Sequence, residues 1–226
     1  MTAKRIIERE CAEAGPDRRQ FLQKMTLAGA AGAALTLGAS TAQAQGLGGG
    51  DTRRNFADIQ RHENAHVAFL VDVIPKFGGT PRPKPTFRNL RQSNFRDFFQ
   101  VAQDLENTGV GAYLGAAKWI LNRDILAAAG SIALIEGRHA GWINTLVGDP
   151  ITFNVDNQEQ SFEKPLSPER VLALASPFIL NLNLGPAVGY EENVTTAAND
   201  IAILNFALAL EYLEAEFYNI NVPALL

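Results

Sequence analysis

Glu136-Gly137-Arg138-His139 sets a carboxylate and an imidazole three residues apart, and Glu63-Asn64-Ala65-His66 repeats the spacing. On a helix, residues three apart project from one face. Glu106 stands on a third stretch of helical pattern and Glu211 on a fourth. One Glu from each of two helices, with Glu-x-x-His from each of the other two, is the ligand set of a dinuclear carboxylate site inside a four-helix bundle. The chemistry calls for these side chains. Glutamates bridge two divalent cations and offset their charge, and one imidazole per metal leaves positions open for O2 or peroxide. The expected cofactor is therefore a dinuclear iron or manganese centre; zinc fits such ligands but does no redox work. Without metal, four carboxylates in an apolar interior would repel one another at a large desolvation cost.

Each residue has a plainer reading. A single Glu-x-x-His is a common surface pair, and Glu106 or Glu211 alone would be a solvated charge. Their apolar neighbourhoods, and their joint occurrence in a chain with three histidines, favour the metal site. Around it lie weaker candidates. Tyr113 follows Glu106 by seven residues, and Glu211, Glu214 and Tyr218 share a face. The Tyr113 and Tyr218 hydroxyls are candidates to support the chemistry by bonding a ligand carboxylate, against a purely packing role. Glu214 is a further ligand, a neighbour of one, or a charge at the bundle end. His62 is a surface residue or a partner of a ligand. His62 and His66 lie four apart with Glu63 between them, which also admits a zinc-protease-like arrangement, the minor reading. No Gly-x-Gly-x-x-Gly, phosphate-binding loop or Gly-x-Ser-x-Gly is present.

Four long elements must position these groups. A first helix is capped at Asp51-Thr52, begins near Arg53 and ends before Pro75; the proline-rich stretch to about Phe95 then permits a crossover. The second spans roughly 93–122, with Ser93 or Asn94 as cap. Gly109, Gly111 and Gly115 fall inside it, which suits close approach of another helix or a ligand. The third covers 125–147 and is apolar enough to be buried. An extended flap follows, with strand-like alternation over 151–155 and Phe153, Val155 and Phe162 packing on the bundle. Ser167-Pro168-Glu169 starts a short helix over 168–176 within a connector of residues 148–198, and 178–198 reads as loop. The last helix begins at Asn199-Asp200 and runs to about Ile220, leaving a frayed tail with Pro223.

The chain's 226 residues, 46% hydrophobic and 19% charged, suffice for one domain with a full core. A net charge of −4 without a basic tract argues against nucleic acid as a partner. Residues 1–44 read as a signal peptide: a polar region with Arg18-Arg19, an apolar stretch over 25–39, and a small-residue end at Ala42-Gln43-Ala44. The arginine pair before Gln20-Phe21-Leu22 resembles the bacterial twin-arginine signal. The expected location is periplasmic or extracellular, with no stable membrane insertion after cleavage. Residues 45–55 would then be a flexible leader and 56–226 the helical domain. Cys11, the one cysteine, would leave with the leader.

Five blocks together resemble the ferritin-like domain of the desiccation-related protein family: HENAHVAFL (62–70), LENTGVGAYLGAA (105–117), AAAGSIALIEGRHAGWI (127–143), LSPERVLALASPFI (166–179) and NDIAILNFALALEYLEAEFY (199–218). The resemblance implies an all-α, ferritin-like four-helix bundle with long crossover connections. It assigns Glu211, Glu63 with His66, Glu106, and Glu136 with His139 as ligands in helix order. The family's first helix stands last in this chain, so the resemblance implies a circular permutant, a homodimer exchanging its last helix, or a rearranged fragment with an imperfect metal site. The wider superfamily stores iron, reduces peroxide or activates oxygen. Two functions follow as expectations. One is a dinuclear iron or manganese protein acting on peroxide, O2 or Fe2+ in envelope stress protection, with peroxidase- or oxidase-type chemistry. The other is a non-catalytic protective or interaction protein with a structural or absent metal.

Overall fold

A computed structural model describes residues 49–226, so the expected signal peptide over residues 1–44 and most of the glycine stretch after it lie outside the described residues. Helix α1 spans Gly49–Val73 and runs into a 3-10 turn, Ile74–Phe77. Strand β1 is Thr86–Phe87, α2 is Phe95–Ala117, and α3 is Arg123–Val147. The short α4 is Pro168–Ala175, β2 is Ile179–Asn181, and α5 is Ala197–Leu225. Helix α1 packs on α5, α2 on α3, and α2 on α5. The class is all-α, a ferritin-like four-helix bundle. Among the described residues no helix is long and apolar enough to cross a membrane.

Side-chain pairs fix the helix directions. Phe56 meets Tyr218 while Gly79, past the other end of α1, meets Ile201, so α1 and α5 are antiparallel. Phe98 stacks on Phe217 and the Leu121 N–H reaches Asp200, so α2 also opposes α5. Gln103 bonds Asn144 and His139 bonds Glu106, so α2 and α3 oppose each other. Helices α1 and α2 therefore run one way and α3 and α5 the other. Each like-directed pair consecutive in the chain needs a connection along the bundle's full length, and residues 74–94 and 148–196 supply them.

Not every expected cap holds: Asp51 and Thr52, expected to cap the first helix, lie inside α1, whereas the later helix starts are capped by side chains. Asn94 accepts from the Asp97 N–H, Asn122 from Asp124 and Ile125, and Ser167 from Arg170. The last helix departs from the expected start. Its cap is Thr196, accepting from the Asn199 N–H, and the helix begins at Ala197. Asn199 and Asp200 serve tertiary contacts instead: Asn199 donates to the carbonyls of Glu191 and Val194, and Asp200 accepts from the Leu121 and Asn122 N–H groups in the α2–α3 turn. The tail is not frayed. Helix α5 continues through Pro223 to Leu225 because buried Asn221 accepts from the Gln92 N–H and donates to the Leu90 carbonyl. Asn205, sixteen residues earlier, does the same for the Arg82 N–H and the Thr80 carbonyl. Two asparagines thus clamp the first crossover along α5. That is why α5 is apolar almost all round: one side faces the bundle and another lies under the crossover.

The connections also hold more structure than expected. Helix α1 starts at Gly49, so part of the expected flexible leader is helical. Residues 178–198 are not all loop, since β2 pairs antiparallel with β1 and ties the two crossovers together. The buried Arg82 guanidinium reinforces that tie, donating to the carbonyls of Leu182 and Pro186. In the expected flap, Phe153 makes one isolated bridge with Glu159, and Phe162 is 87% exposed and packs on nothing in the core.

The α2 glycines have separate uses. At Gly111 and Gly115 the second crossover lies against α2: the Leu166 N–H donates to the Gly111 carbonyl at 2.9 Å, and a Cβ at Gly115 would land on the Leu166 carbonyl. Backbone cannot swing aside as a side-chain tip can. Gly115→Ala is therefore expected to destabilise the fold by roughly 3 kcal/mol despite its better helix propensity. A lowered urea midpoint with unchanged slope would show it.

Candidate metal centre

Glu63 and His66 lie in the middle of α1, Glu136 and His139 in the middle of α3, Glu106 in α2, and Glu211 in α5. The four helices bring their side chains into two groups, each compact enough to hold one ion. One group is Glu63, Glu106, Glu136 and His139; the other is Glu63, His66, Glu136 and Glu211. Glu63 and Glu136 belong to both. His66 Nδ1 lies 3.1 Å from Glu63, 3.2 Å from Glu211 and 3.3 Å from Glu136. His139 Nδ1 lies 3.1 Å from Glu63 and 3.1 Å from Glu106. The geometry is that of a dinuclear site with two shared carboxylates, and with one Glu and one His to each side.

The tyrosines bond across the bundle rather than along their own helices. Tyr218 on α5 donates to Glu106 on α2 at 2.5 Å, and Tyr113 on α2 donates to Glu211 on α5. Glu106 and Tyr113 are seven residues apart, as are Glu211 and Tyr218, so α2 and α5 are related by a local two-fold. The Glu-x-x-His motifs of α1 and α3 obey the same symmetry. Two positions break it. Three residues after Glu211 stands buried Glu214, while three after Glu106 stands Gly109. One residue before Glu63 stands His62, where Ile135 precedes Glu136.

His62 contacts the centre through a ligand-group histidine: its Nδ1 lies 2.9 Å from Nε2 of His139, with the rings parallel. Residues 62–66 spell His-Glu-x-x-His, yet His62 belongs to neither group of potential ligands, so the zinc-protease arrangement is absent here.

The electrostatics are those of a site short of positive charge. Glu136 and Glu63 are fully buried, and burial raises both carboxyl groups above the ordinary range, Glu136 well above it with Glu63 and Glu106 adding repulsion. Burial does the same to Glu214, with Glu136 and Glu211 adding to it. Burial disfavours protonated His139, but Glu106, Glu63 and Glu136 outweigh it and push its pKa up to about 11. His66 is likewise raised, against burial, by Glu211, Glu136 and Glu63. Glu211 is lowered, His66 and Tyr113 overcoming the effect of burial. Burial, and then His139, lower His62 to about 4. Oε2 of Glu136 is buried without a partner, and Oε1 of Glu136 and Oε1 of Glu63 meet only the Nδ1 of His66 at 3.3 Å and of His139 at 3.1 Å, contacts that are ion pairs without hydrogen-bond geometry. Oxygens orphaned of hydrogen bonds on the two shared carboxylates, and on none of the others, fit cations lying between the helices.

Fold and site together define a four-helix bundle with a dinuclear-type carboxylate–histidine centre. A protein-family model described as a ferritin-like domain matches residues 20–149 and 199–224, and the chain belongs to that family. No curated protein and no solved structure matched the chain.

Proposed function

We propose that the chain is a dinuclear iron or manganese protein that acts on peroxide, O2 or Fe2+. One observation carries the reading: Glu63 and Glu136 are shared by both ligand groups, with orphaned oxygens between them. Glu106 with His139, and Glu211 with His66, would complete the two positions. A metal pair held there would supply the redox chemistry, with Fe2+ or another reductant giving the electrons and peroxide or O2 accepting them. The protein's part is to hold that pair dry and fixed. Tyr113 and Tyr218 fix the terminal carboxylates, and His62 fixes the ring of His139 through Nε2. The tyrosine hydroxyls, raised well above their ordinary range by burial and by the Glu they bond, keep their protons and remain donors. The two crossovers and the aromatic cluster of Phe56, Phe98, Phe99 and Phe217 exclude water from the bundle.

The reading extends to export. The twin-arginine-like leader over 1–44 would carry a folded, metal-loaded protein to the periplasm or beyond, where it would serve in stress protection. Two full-length crossovers, rather than the one usual in a ferritin-like bundle, support a permuted order with the family's first helix as α5.

Anaerobic titration of the purified protein with Fe2+, and with Mn2+ in parallel, tests the proposal. About two ions per chain are expected; no tight binding of either would overturn it. Tyr218→Phe should keep both ions but weaken the Glu106 position by about tenfold, as loss of a ligand's outer hydrogen bond does. Competition with a chelator measures that loss.

A further inference from the structure

The break in the local two-fold has a cavity behind it. Between α2, α5 and the second crossover lies a pocket of about 370 Å³, lined on the bundle side by Asp104, Thr108, Gly109 and Glu214 and on the crossover side by Leu174 and Phe178. Glu214 is only 4% exposed, and its carboxylate borders both this pocket and the backbone of Gly109. Gly109 separates it from the centre. A Cβ there would lie 2.9 Å from Oε2 of Glu136 and 3.2 Å from Oε1 of Glu214. The missing side chain thus leaves open a gap with a carboxylate oxygen on either side. Oε2 of Glu136 is fully buried, has no hydrogen-bond partner, and faces that gap.

The geometry points to this pocket as the route by which divalent cations reach the centre, with Asp104 and Glu214 as relay carboxylates ahead of Glu136. The inference rests on the dinuclear reading. The ligand class follows from the lining. Acidic groups at successive positions favour a hydrated cation, which exchanges water for carboxylate oxygen at each step. The histidine edge of the centre differs: His62 and His139 sit ring against ring there, and Asp58, the carboxylate that acts on His62, is neutralised by its ion pair with Arg61 at 2.6 Å. The crossover supplies the far wall, so this route belongs to a connection lying outside the segments that match the family.

The test is the rate of Co2+ loading into the full chain, followed by stopped-flow absorbance, with equilibrium stoichiometry measured separately. Glu214→Gln removes the relay charge without changing shape. Leu174→Trp narrows the pocket from the crossover side and touches no charge. Asp104→Asn, at an exposed position, gives a third variant with little risk to folding. All three should still bind two Co2+ per chain at equilibrium. Loading should slow by about tenfold in Glu214→Gln and Leu174→Trp, and by a smaller factor in Asp104→Asn. Unchanged rates in variants that bind two Co2+ would overturn the route and leave the dinuclear reading standing. Loss of an ion at equilibrium in Glu214→Gln would make Glu214 a ligand and equally overturn its relay role. Failure of the unmodified chain to bind two Co2+ would overturn the dinuclear reading, and the route with it.

Discussion

Replacing Glu136 by leucine is expected to abolish binding at both metal positions, whereas replacing Glu106 or Glu211 by alanine should remove one and leave the other. Glu136 belongs to both ligand groups, so no compact set of four remains in its absence. Without Glu106, the group of Glu63, His66, Glu136 and Glu211 is untouched; without Glu211, the group around His139 is. The expected stoichiometries are about two ions for the unmodified chain, about one for each terminal variant, and none held tightly by Glu136→Leu. Loss of binding through unfolding has the opposite signature in stability. Glu136 is a fully buried carboxylate with two orphaned oxygens, and an apolar side chain of similar size relieves that cost. The metal-free Glu136→Leu protein should therefore be more stable than the metal-free parent by about 1–4 kcal/mol. Metal analysis and chemical denaturation on the same samples decide the matter. A leucine variant that still binds two ions, or terminal variants that lose both, would break the shared-carboxylate assignment.

The sequence carries the ligand groups well because spacing along one helix is a local property. Glu63 and His66, or Glu136 and His139, share a face whatever the helix packs against. Which carboxylates are shared depends on how four helices slide past one another, and spacing along one helix does not report that. The tyrosines show the same limit. Tyr113 lies on the face of Glu106, yet its hydroxyl crosses to Glu211, and Tyr218 crosses back to Glu106. Glu214 stayed open among three roles because its use depends on Gly109 of another helix. Asp104 carried no signal at all, since the pocket it borders has its far wall in the second crossover. Helix ends failed for a related reason. Asn199 and Asp200 resemble caps and Asn221 falls in the tail expected to fray, but each spends its side chain on backbone from a connection.

The metal-free protein should lose stability as pH rises, and bound metal should reverse that trend. The folded carboxyl groups of Glu63, Glu136 and Glu214 are raised above the ordinary 4.5, so in the metal-free core they retain protons that the unfolded chain has released. His66 and His139 are raised above 6.5, His139 to about 11; their contribution is complete below 6.5 and drains away as pH climbs toward the folded value. His62, lowered to about 4, acts in the opposite sense between 4 and 6.5, as does lowered Glu211 below 4.5, but they are fewer than the raised groups. From about pH 5 upward the folded state thus binds more protons than the unfolded state, and the slope of stability against pH is negative. The melting temperature of the metal-free protein should fall on the order of 10 °C between pH 5.5 and 9. Binding requires neutral imidazoles and ionised carboxylates, so cations displace those protons and bind more tightly at higher pH. With saturating Mn2+ the melting temperature should rise over the same interval, and titration in a weakly buffered solution should register proton release. A metal-free protein whose melting temperature rises across this window would mean that its buried carboxylates are already ionised without a cation. The centre would then hold its charge by protein contacts alone, and the orphaned oxygens of Glu63 and Glu136 would need a partner other than metal.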